Sequence, residues 1–282
     1  MKAVVIGATG QLGQDLMRTL GEEAIGLSHQ EIEVTDGVGV VQTLQSLKPD
    51  WVLNTAAFHR VDDCEVNPAL ALAVNALGAF NVARASTLVG AHVVFFSTDY
   101  VFGGQSRQRG HPYTEQDPPS PLNVYGISKV AGERLVLHAQ PEALIVRSAG
   151  LYGTATSRKG WTFPQLILHL AQTQGVVKVV TDQVLSPTNT RDLAYAVYQL
   201  MRENASGIFH VTNSGECSWY EFAQAIFELT KTRAQLQPQS TADTKRCAPR
   251  PAYSALCSTR LSNLLRPWRE ALTDYLYEKG YL

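Results

Sequence analysis

Lys2-Ala3-Val4-Val5-Ile6 is short, apolar and β-branched, and it runs without a break into Gly7-Ala8-Thr9-Gly10-Gln11-Leu12-Gly13. Leu16, Met17 and Leu20 then recur at helical spacing. An apolar run with no polar alternation is what a strand buried on both faces looks like, as in a parallel sheet. Strand, glycine-rich turn and helix in succession leave few folds open. The glycines let the backbone turn tightly and approach a pyrophosphate, which then sits at the positive end of the helix. Gly7, Gly10 and Gly13 are therefore candidates for cofactor binding. Their spacing, G-x-x-G-x-x-G, is one residue longer than the usual dinucleotide fingerprint. A tight strand-to-helix turn with no ligand is the other reading of the same residues.

The alternation continues. Residues 24–27, 51–57, 92–96 and 143–147 read as further strands, and 40–47 and 70–88 as helices. Ser28-His29 follows the second strand, where an acidic residue would bond an adenosine ribose and favour NAD. Glu31 and Glu33 come slightly later, and no Arg stands ready to clamp a 2′-phosphate. The cofactor choice between NADP and NAD stays open, with a lean to NADP. Small residues, Thr55-Ala56-Ala57, end the third strand and suit a ligand lying across the sheet; simple close packing explains them equally well. Asn75 and Asn81 in the predicted helix 70–88 are either structural or bonded to a neighbouring loop.

The strand at 92–96 runs into Ser97-Thr98-Asp99-Tyr100-Val101-Phe102. Polar groups cluster there at the end of a parallel strand, the edge where open α/β sheets bind ligands. The Thr98 hydroxyl can hydrogen-bond a carbonyl oxygen; a turn closed by Asx-type bonds is the alternative. A loop over 103–124, rich in Gly, Pro, Ser and Gln, leads to Tyr125-Gly126-Ile127-Ser128-Lys129. Loops of that length in compact domains tend to be functional. Tyr125 and Lys129 stand four apart, so on a helix they share one face. A phenol is a weak acid, and a neighbouring ammonium is expected to lower its pKa. A phenol tuned in that way can hand a proton to a developing alkoxide. Alone this spacing is a common coincidence; its weight comes from the strand ends around it.

Net charge is −1, which gives no field to attract nucleic acid or an anionic membrane. No apolar run in the sequence approaches a bilayer span, and the N-terminal apolar stretch is too short for a signal peptide. Cys64, Cys217, Cys247 and Cys257 have no C-x-x-C spacing, which speaks against metal binding and a disulfide framework and for the reduced thiols of a cytoplasm. His59, His111, His138, His169 and His210 are scattered and read as surface or packing residues. In the second half, helices are expected over 163–172 and 190–201, strands over 176–180 and 207–211, and a helix from the capping box Ser218-Trp219-Tyr220-Glu221. Residues 235–251 are polar and proline-rich, as a surface excursion would be, and Arg266-Pro267-Trp268 opens a terminal helix.

Together these motifs resemble the extended short-chain dehydrogenase/reductases, and within them the dTDP-4-dehydrorhamnose reductase family. The resemblance rests on the glycine turn, Asn54-Thr55-Ala56-Ala57, Val61-Asp62 with Glu65, and Ser97-Thr98-Asp99-Tyr100-Val101-Phe102. It continues through residues 121–129 with Ala131-Gly132-Glu133, then Asp182-Gln183 and Ser186-Pro187-Thr188. It implies an NAD(P)H-dependent reduction of the 4-keto group of a nucleotide-linked deoxysugar. Gln11 and Leu12 would meet the cofactor diphosphate, Glu33 and Val34 the adenine, and Ala56, Ala57, Phe58 and His59 the nicotinamide side. Tyr125 would donate the proton, Lys129 would bind the ribose and tune Tyr125, and Thr98 would complete the triad. Thr98, Asp99, Tyr100, Val61 and position 150 would face the sugar.

Three positions depart from that pattern. Gly150 stands where the family has a Trp that packs on the sugar, Thr162 where it has Asn, and Phe58 where His is common. Trp161, in the next loop, is a candidate to fill the gap. The departures leave the redox residues in place and point to two other readings: another keto-sugar or small carbonyl substrate, or a non-catalytic nucleotide-binding regulatory subunit. The expected fold is α/β, a Rossmann-type doubly wound parallel sheet over residues 1–150. A smaller, mainly substrate-binding α/β region follows over 151–282, its helix near 190–202 returning to the first part. No metal site is expected. Composition does not fix the oligomeric state, and a homodimer is the default.

Overall fold

Alternate residues of the first strand point to opposite faces, and both faces here are covered. In the computed structural model, which describes residues 1–104, 110–155 and 160–282, all of Ala3–Ile6 is buried. The first half alternates as expected: β1 (Ala3–Ile6), α1 (Gln11–Leu20), β2 (Ala24–Leu27), α2 (Gly37–Leu47), β3 (Trp51–Asn54) and the short α3 (Val61–Val66). A continuous helix follows, made of α4 (Pro68–Leu72), a π-helical stretch Ala73–Gly78 and α5 (Ala79–Val89), then β4 (His92–Thr98), α6 (Val124–Ala139) and β5 (Leu144–Ser148). Residues 105–109 of the long loop lie outside the described residues.

Among the described residues six strands make one sheet, in the order β10-β5-β4-β3-β1-β2, with β10 at Gly207–His210. Every pairing in it is parallel. The chain leaves β1 for β2 on one side and returns to β3 on the other. The strand order reverses there, and a crevice opens at the carboxyl ends of β1 and β3. Val5, Leu53, Val94 and Val146 face a layer containing Leu12 and Leu16 of α1. Val4, Val52, Phe95 and Ile145 face the layer holding Val40, Val82 and Val136. Each fully buried side chain of this kind contributes roughly 1.5–3 kcal/mol, so the doubly covered sheet is the stable platform of the molecule.

The helix Pro68–Val89 corrects one expectation: by length and composition it is apolar enough to cross a membrane. It serves instead as a core helix. Ala79, Val82, Ala83 and Ala85 are buried in the sheet's second layer, while Asn75 and Asn81 bond backbone groups of neighbouring loops.

The second half begins with β6 (Leu151–Tyr152), α7 (Phe163–Gln174), β7 (Val176–Val180), β8 (Val184–Leu185), β9 (Thr188–Asn189) and α8 (Thr190–Arg202). After β10 come β11 (Asn213–Ser214), β12 (Cys217–Ser218), α9 (Trp219–Thr230), β13 (Gln235–Gln239), β14 (Leu265–Pro267) and α10 (Trp268–Glu278). Leu193, Ala194 and Val197 of α8 join Leu12 and Leu16 in the layer under the sheet. A separate core gathers Tyr152, Ile167, Phe222, Ile226 and Leu272. The Ser218 capping box forms as read, with Glu221 closing it.

Residues 235–251 lie mostly at the surface, as expected, but they contain a strand. Gln235–Gln239 pairs in parallel with β7. Its polar side chains hide the strand from any hydropathy pattern, and Pro238 is tolerated because this is an edge. The chain then turns inward, burying Ala248, Pro251, Ser254, Ala255 and Leu256. His210 is a packing residue: it is buried, and its Nδ1 lies 3.0 Å from the Tyr113 carbonyl oxygen.

Candidate active site

The turn after β1 is shaped for close approach. Gly7 has φ of +83°, a left-handed conformation, and a Cβ there would sit 2.5 Å from Thr55 Oγ1. A Cβ on Gly13 would collide with the Gly7 carbonyl oxygen and stand 2.8 Å from Ala8 Cα. Gly10, the N-cap residue of α1, gives the helix no side-chain cap, which leaves the amides of its first turn open to an outside acceptor. The buried Nε2 of Gln11 finds no partner in the chain. Free amides at a helix start and an orphaned amide donor fit the oxygens of a diphosphate. Gly7, Gly10, Gln11, Leu12 and Gly13 all face one cleft of about 870 Å³, within the size range of small-ligand sites.

Beyond the glycine turn the cleft is lined by His29, Glu33 and Val34. Glu31 is occupied by the Ser28 amide at 2.7 Å. Glu33 is held below the usual carboxylate range, chiefly by the backbone amide of Thr35. Beyond β3, Ala56, Ala57, Phe58 and His59 form the middle wall. Asn75 fixes that wall by accepting from the Phe58 amide at 2.8 Å and donating to the Phe58 carbonyl at 2.9 Å. Its amide also donates to Ser128 on α6 at 2.9 Å. A side chain inside the long helix thus couples the loop after β3 to the helix that carries Tyr125.

That helix starts at Asn123, whose side chain accepts from the Gly126 amide at 2.8 Å, while Glu65 accepts from the Val124 amide at 2.9 Å. Tyr125 and Lys129 both reach the cleft, one turn apart, with Thr98 and Asp99 at the end of β4. The Thr98 hydroxyl donates to Asp99 Oδ1 at 3.0 Å and accepts from the Tyr100 amide at 3.2 Å. The turn closure expected as the alternative to a ligand role therefore exists, inside the cleft.

Burial pushes the Tyr125 phenol above its ordinary value; the Asp99 carboxylate adds to the rise and a hydrogen bond with Thr98 opposes it. The lowering expected from Lys129 is not among the influences on Tyr125. Lys129 is itself lowered to about 7, because burial disfavours its charge more than Glu133 supports it. Its Nζ lies 4.0 Å from the centre of the Phe95 ring. Glu133 is engaged elsewhere, in a buried pair with Arg147 at 2.6 Å.

On the opposite side the lining residues come from many segments. Val61, Tyr100 and Gly150 line the cleft, and Gly150 has φ of +53°. Leu185 fills the room a side chain at 150 needs, its Cδ1 lying 2.5 Å from a Cβ built there. Trp161 lines the same wall and stays 52% exposed, its ring 3.9 Å from that of His169. Thr162 caps α7 and bonds the Tyr275 hydroxyl at 3.0 Å.

The residues proposed from the sequence as catalytic, cofactor-binding or substrate-binding all line one cleft. Leu185, Trp219, Pro251 and Ser254 line it as well and were not foreseen. Trp219 was read only as part of a helix start, and Ser254 has no local signal, since its role depends on a contact with Asp99 far away in the chain. Among the described residues no group of His, Cys, Asp and Glu is arranged to hold a metal ion.

Comparison with known proteins finds likeness over nearly the whole chain. The family model for the RmlD substrate binding domain matches residues 1–280. The chain is 42% identical to the spore coat polysaccharide biosynthesis protein SpsK of Bacillus subtilis, over 99% of this chain and 98% of that protein. It is 39% identical to a dTDP-4-dehydrorhamnose reductase of Mycobacterium tuberculosis, over 98% of this chain and 92% of the relative. A crystal structure of dTDP-4-dehydrorhamnose reductase from Bacillus anthracis in complex with NADP superposes with a TM-score of 0.93 at 36% identity, covering 99% of this chain and all of that one. With a match running from the first strand into the last helix, the chain belongs to the RmlD substrate binding domain family.

Proposed function

We propose that this protein reduces the 4-keto group of a nucleotide-linked deoxysugar of the dTDP-4-dehydrorhamnose type, with NADPH or NADH as the reductant. The observation that carries the reading is the gathering of Tyr125, Lys129 and Thr98 with the glycine turn around one cleft. When bound, the reduced nicotinamide supplies the hydride. The residues of the chain do the rest. The amides at the start of α1 and the Gln11 side chain hold the diphosphate. Lys129, nearly stripped of water, gains a partner when a ribose hydroxyl reaches it. Thr98 steadies the substrate carbonyl, and Tyr125 protonates its oxygen as charge develops there. A phenol whose pKa is raised by burial keeps its proton until that charge appears.

NADP is favoured over NAD because Ser28-His29-Gln30 offers no carboxylate to a ribose hydroxyl, and Glu31 is already bonded to the Ser28 amide. Gly150 and the Leu185 side chain beside it favour a second reading, in which the sugar differs from dehydrorhamnose. The same account takes residues 1–150 as the dinucleotide-binding part and 151–282 as mainly substrate-binding. It takes the protein as a cytoplasmic homodimer, which sedimentation checks. The deciding experiment is a cofactor-oxidation screen with NADPH and NADH against a panel of nucleotide-linked keto sugars. Turnover of a dTDP-4-keto sugar is expected; tight cofactor binding with no turnover of any sugar contradicts the reading.

A further inference from the structure

Three stretches that lie far apart in the chain close a ring of hydrogen bonds beside the cleft. Asp62 and Glu65 stand three apart on α3, so their side chains leave the same side of the helix. Glu65 Oε1 accepts from the Val124 amide at 2.9 Å. Asn123, the residue before, is buried, and its Nδ2 donates to the Pro249 carbonyl at 2.9 Å. On either side of Pro249, the Ala248 amide and the Arg250 guanidinium donate to the two oxygens of Asp62, each at 2.9 Å. Arg250 also donates to the Ala248 carbonyl at 2.9 Å, which ties that stretch to itself. The reduction set out above uses neither carboxylate.

Each stretch puts a cleft residue next to a member of the ring. Val61 precedes Asp62, Tyr125 follows Val124 and Pro251 follows Arg250, and all three line the cleft. Tyr125 is on the first turn of α6, where helices fray. That turn is held at both neighbours of the phenol: Glu65 takes the Val124 amide, and the Asn123 side chain takes the Gly126 amide. A Cβ on Gly126 would collide with the Tyr100 carbonyl oxygen, so the turn is seated directly on the residues that follow β4.

The plainer reading is a latch that keeps residues 248–250 in place. As a source of stability it is poor, because the Asp62 side chain is 44% exposed and ion pairs that face water contribute little. Nor does a latch need its second arm on the residue before the phenol. Misplacing a reacting group by about 1 Å can cost about 10²-fold in rate, so the ring bears on turnover more than on folding.

We propose that Asp62 and Glu65 are positioning residues that fix the phenol and the sugar wall relative to each other. The proposal rests on the reductase reading. Glu65 sets the angle at which Tyr125 meets the substrate carbonyl. Asp62 sets the wall formed by Val61 and Pro251. Neither carboxylate touches substrate; both act through the backbone of their neighbours.

The test is steady-state kinetics with NADPH and a dTDP-4-keto sugar, beside a calorimetric titration with NADPH and a thermal melt. Glu65→Ala should lower kcat by about ten- to a hundredfold while KM and NADPH affinity hold. Glu65→Gln, whose amide oxygen still accepts from Val124, should recover most of that loss. Asp62→Ala should raise KM for the sugar severalfold and leave kcat close to that of the wild type. Asp63→Ala is the control: it sits on the same helix, paired with Arg60 at 3.8 Å outside the ring, and should change neither constant. Glu65→Asp keeps the charge but falls a methylene short, and should share the loss in kcat even if Glu65→Ala does not fold. Wild-type kcat in Glu65→Ala and Glu65→Asp overturns the proposal, as does Glu65→Gln as slow as Glu65→Ala. An unchanged KM in Asp62→Ala, or a lower Tm in the variants with both constants unmoved, leaves only the latch. A wild-type chain that reduces no keto sugar sinks the reductase reading and the ring's role with it, whereas an active wild type with these failures in the variants sinks the ring's role alone.

Discussion

The two ends of the cleft are built differently. The end proposed for the cofactor is made from short stretches that follow single strands: the glycine turn after β1, the loop after β2 and the small residues after β3. The end proposed for the sugar draws on Val61, Tyr100, Gly150, Trp161, Leu185, Trp219 and Ser254, which come from separate parts of the chain and meet only in the fold. One end depends on backbone shape held by a rigid sheet. The other depends on side chains brought together by loops and a second core. Cofactor chemistry should therefore be brittle to small local changes, and sugar selection should respond to distant ones.

The largest effect tests where the two ends meet. Tyr125→Phe removes one oxygen and should lower kcat by about 10²- to 10⁴-fold, with NADPH affinity kept. Steady-state kinetics beside a calorimetric titration with NADPH checks this. Full activity in the variant would remove the phenol from the mechanism. Gly13→Ala attacks the cofactor end alone. The new methyl meets the Gly7 carbonyl and Ala8 Cα, at an expected cost of about 1–3 kcal/mol, and NADPH affinity should fall by roughly tenfold or more. Unchanged affinity would show that the turn is not the diphosphate cradle.

Gly150→Trp probes the sugar end. The left-handed backbone and the Leu185 side chain both oppose it, so thermal stability should drop by about 2 kcal/mol. KM for the sugar should not improve, since the Leu185 side chain leaves an aromatic ring there no room to turn into the cleft. A tighter KM with an unchanged Tm would show that Leu185 yields easily.

The smallest expected effect concerns Lys129 and has a definite sign. Burial lowers its pKa to about 7, against an ordinary value of about 10.4. Between those values the unfolded chain binds a proton that the folded chain has released, so stability rises with pH over that window. Below about 7 the buried ammonium weighs fully against folding. Lys129→Met should abolish turnover yet raise Tm by about 2–4 °C at neutral pH, an advantage that shrinks toward pH 10. Calorimetric melts across that range check it. A fall in Tm at neutral pH would mean that the ammonium stabilises the empty site.

What could be read in the sequence follows the same division. Apolar strands ending in glycine or small polar residues announced the parallel sheet and the positions of Thr98, Tyr125 and Lys129, though not the order of the strands. In each case the local residues dictate the local backbone. Gln235–Gln239 escaped because its pairing with β7 is made by backbone groups and leaves no apolar signature. Ser254 escaped because its meaning lies in Asp99, 155 positions away in the chain. The direction of the Tyr125 shift escaped for a related reason. An i, i+4 spacing shows that a phenol and an ammonium share a face, but not that burial of both outweighs their attraction.

The account stands on direct hydride delivery to a sugar carbonyl with Tyr125 supplying the proton. A single turnover with NADPH carrying deuterium on the transferred position of the nicotinamide, against a dTDP-4-keto sugar, tests this most directly. The account predicts one deuterium at C4 of the product sugar in the wild type and none, over the same time, in Tyr125→Phe. Product that forms without the label, or equal labelling in both proteins, would contradict it.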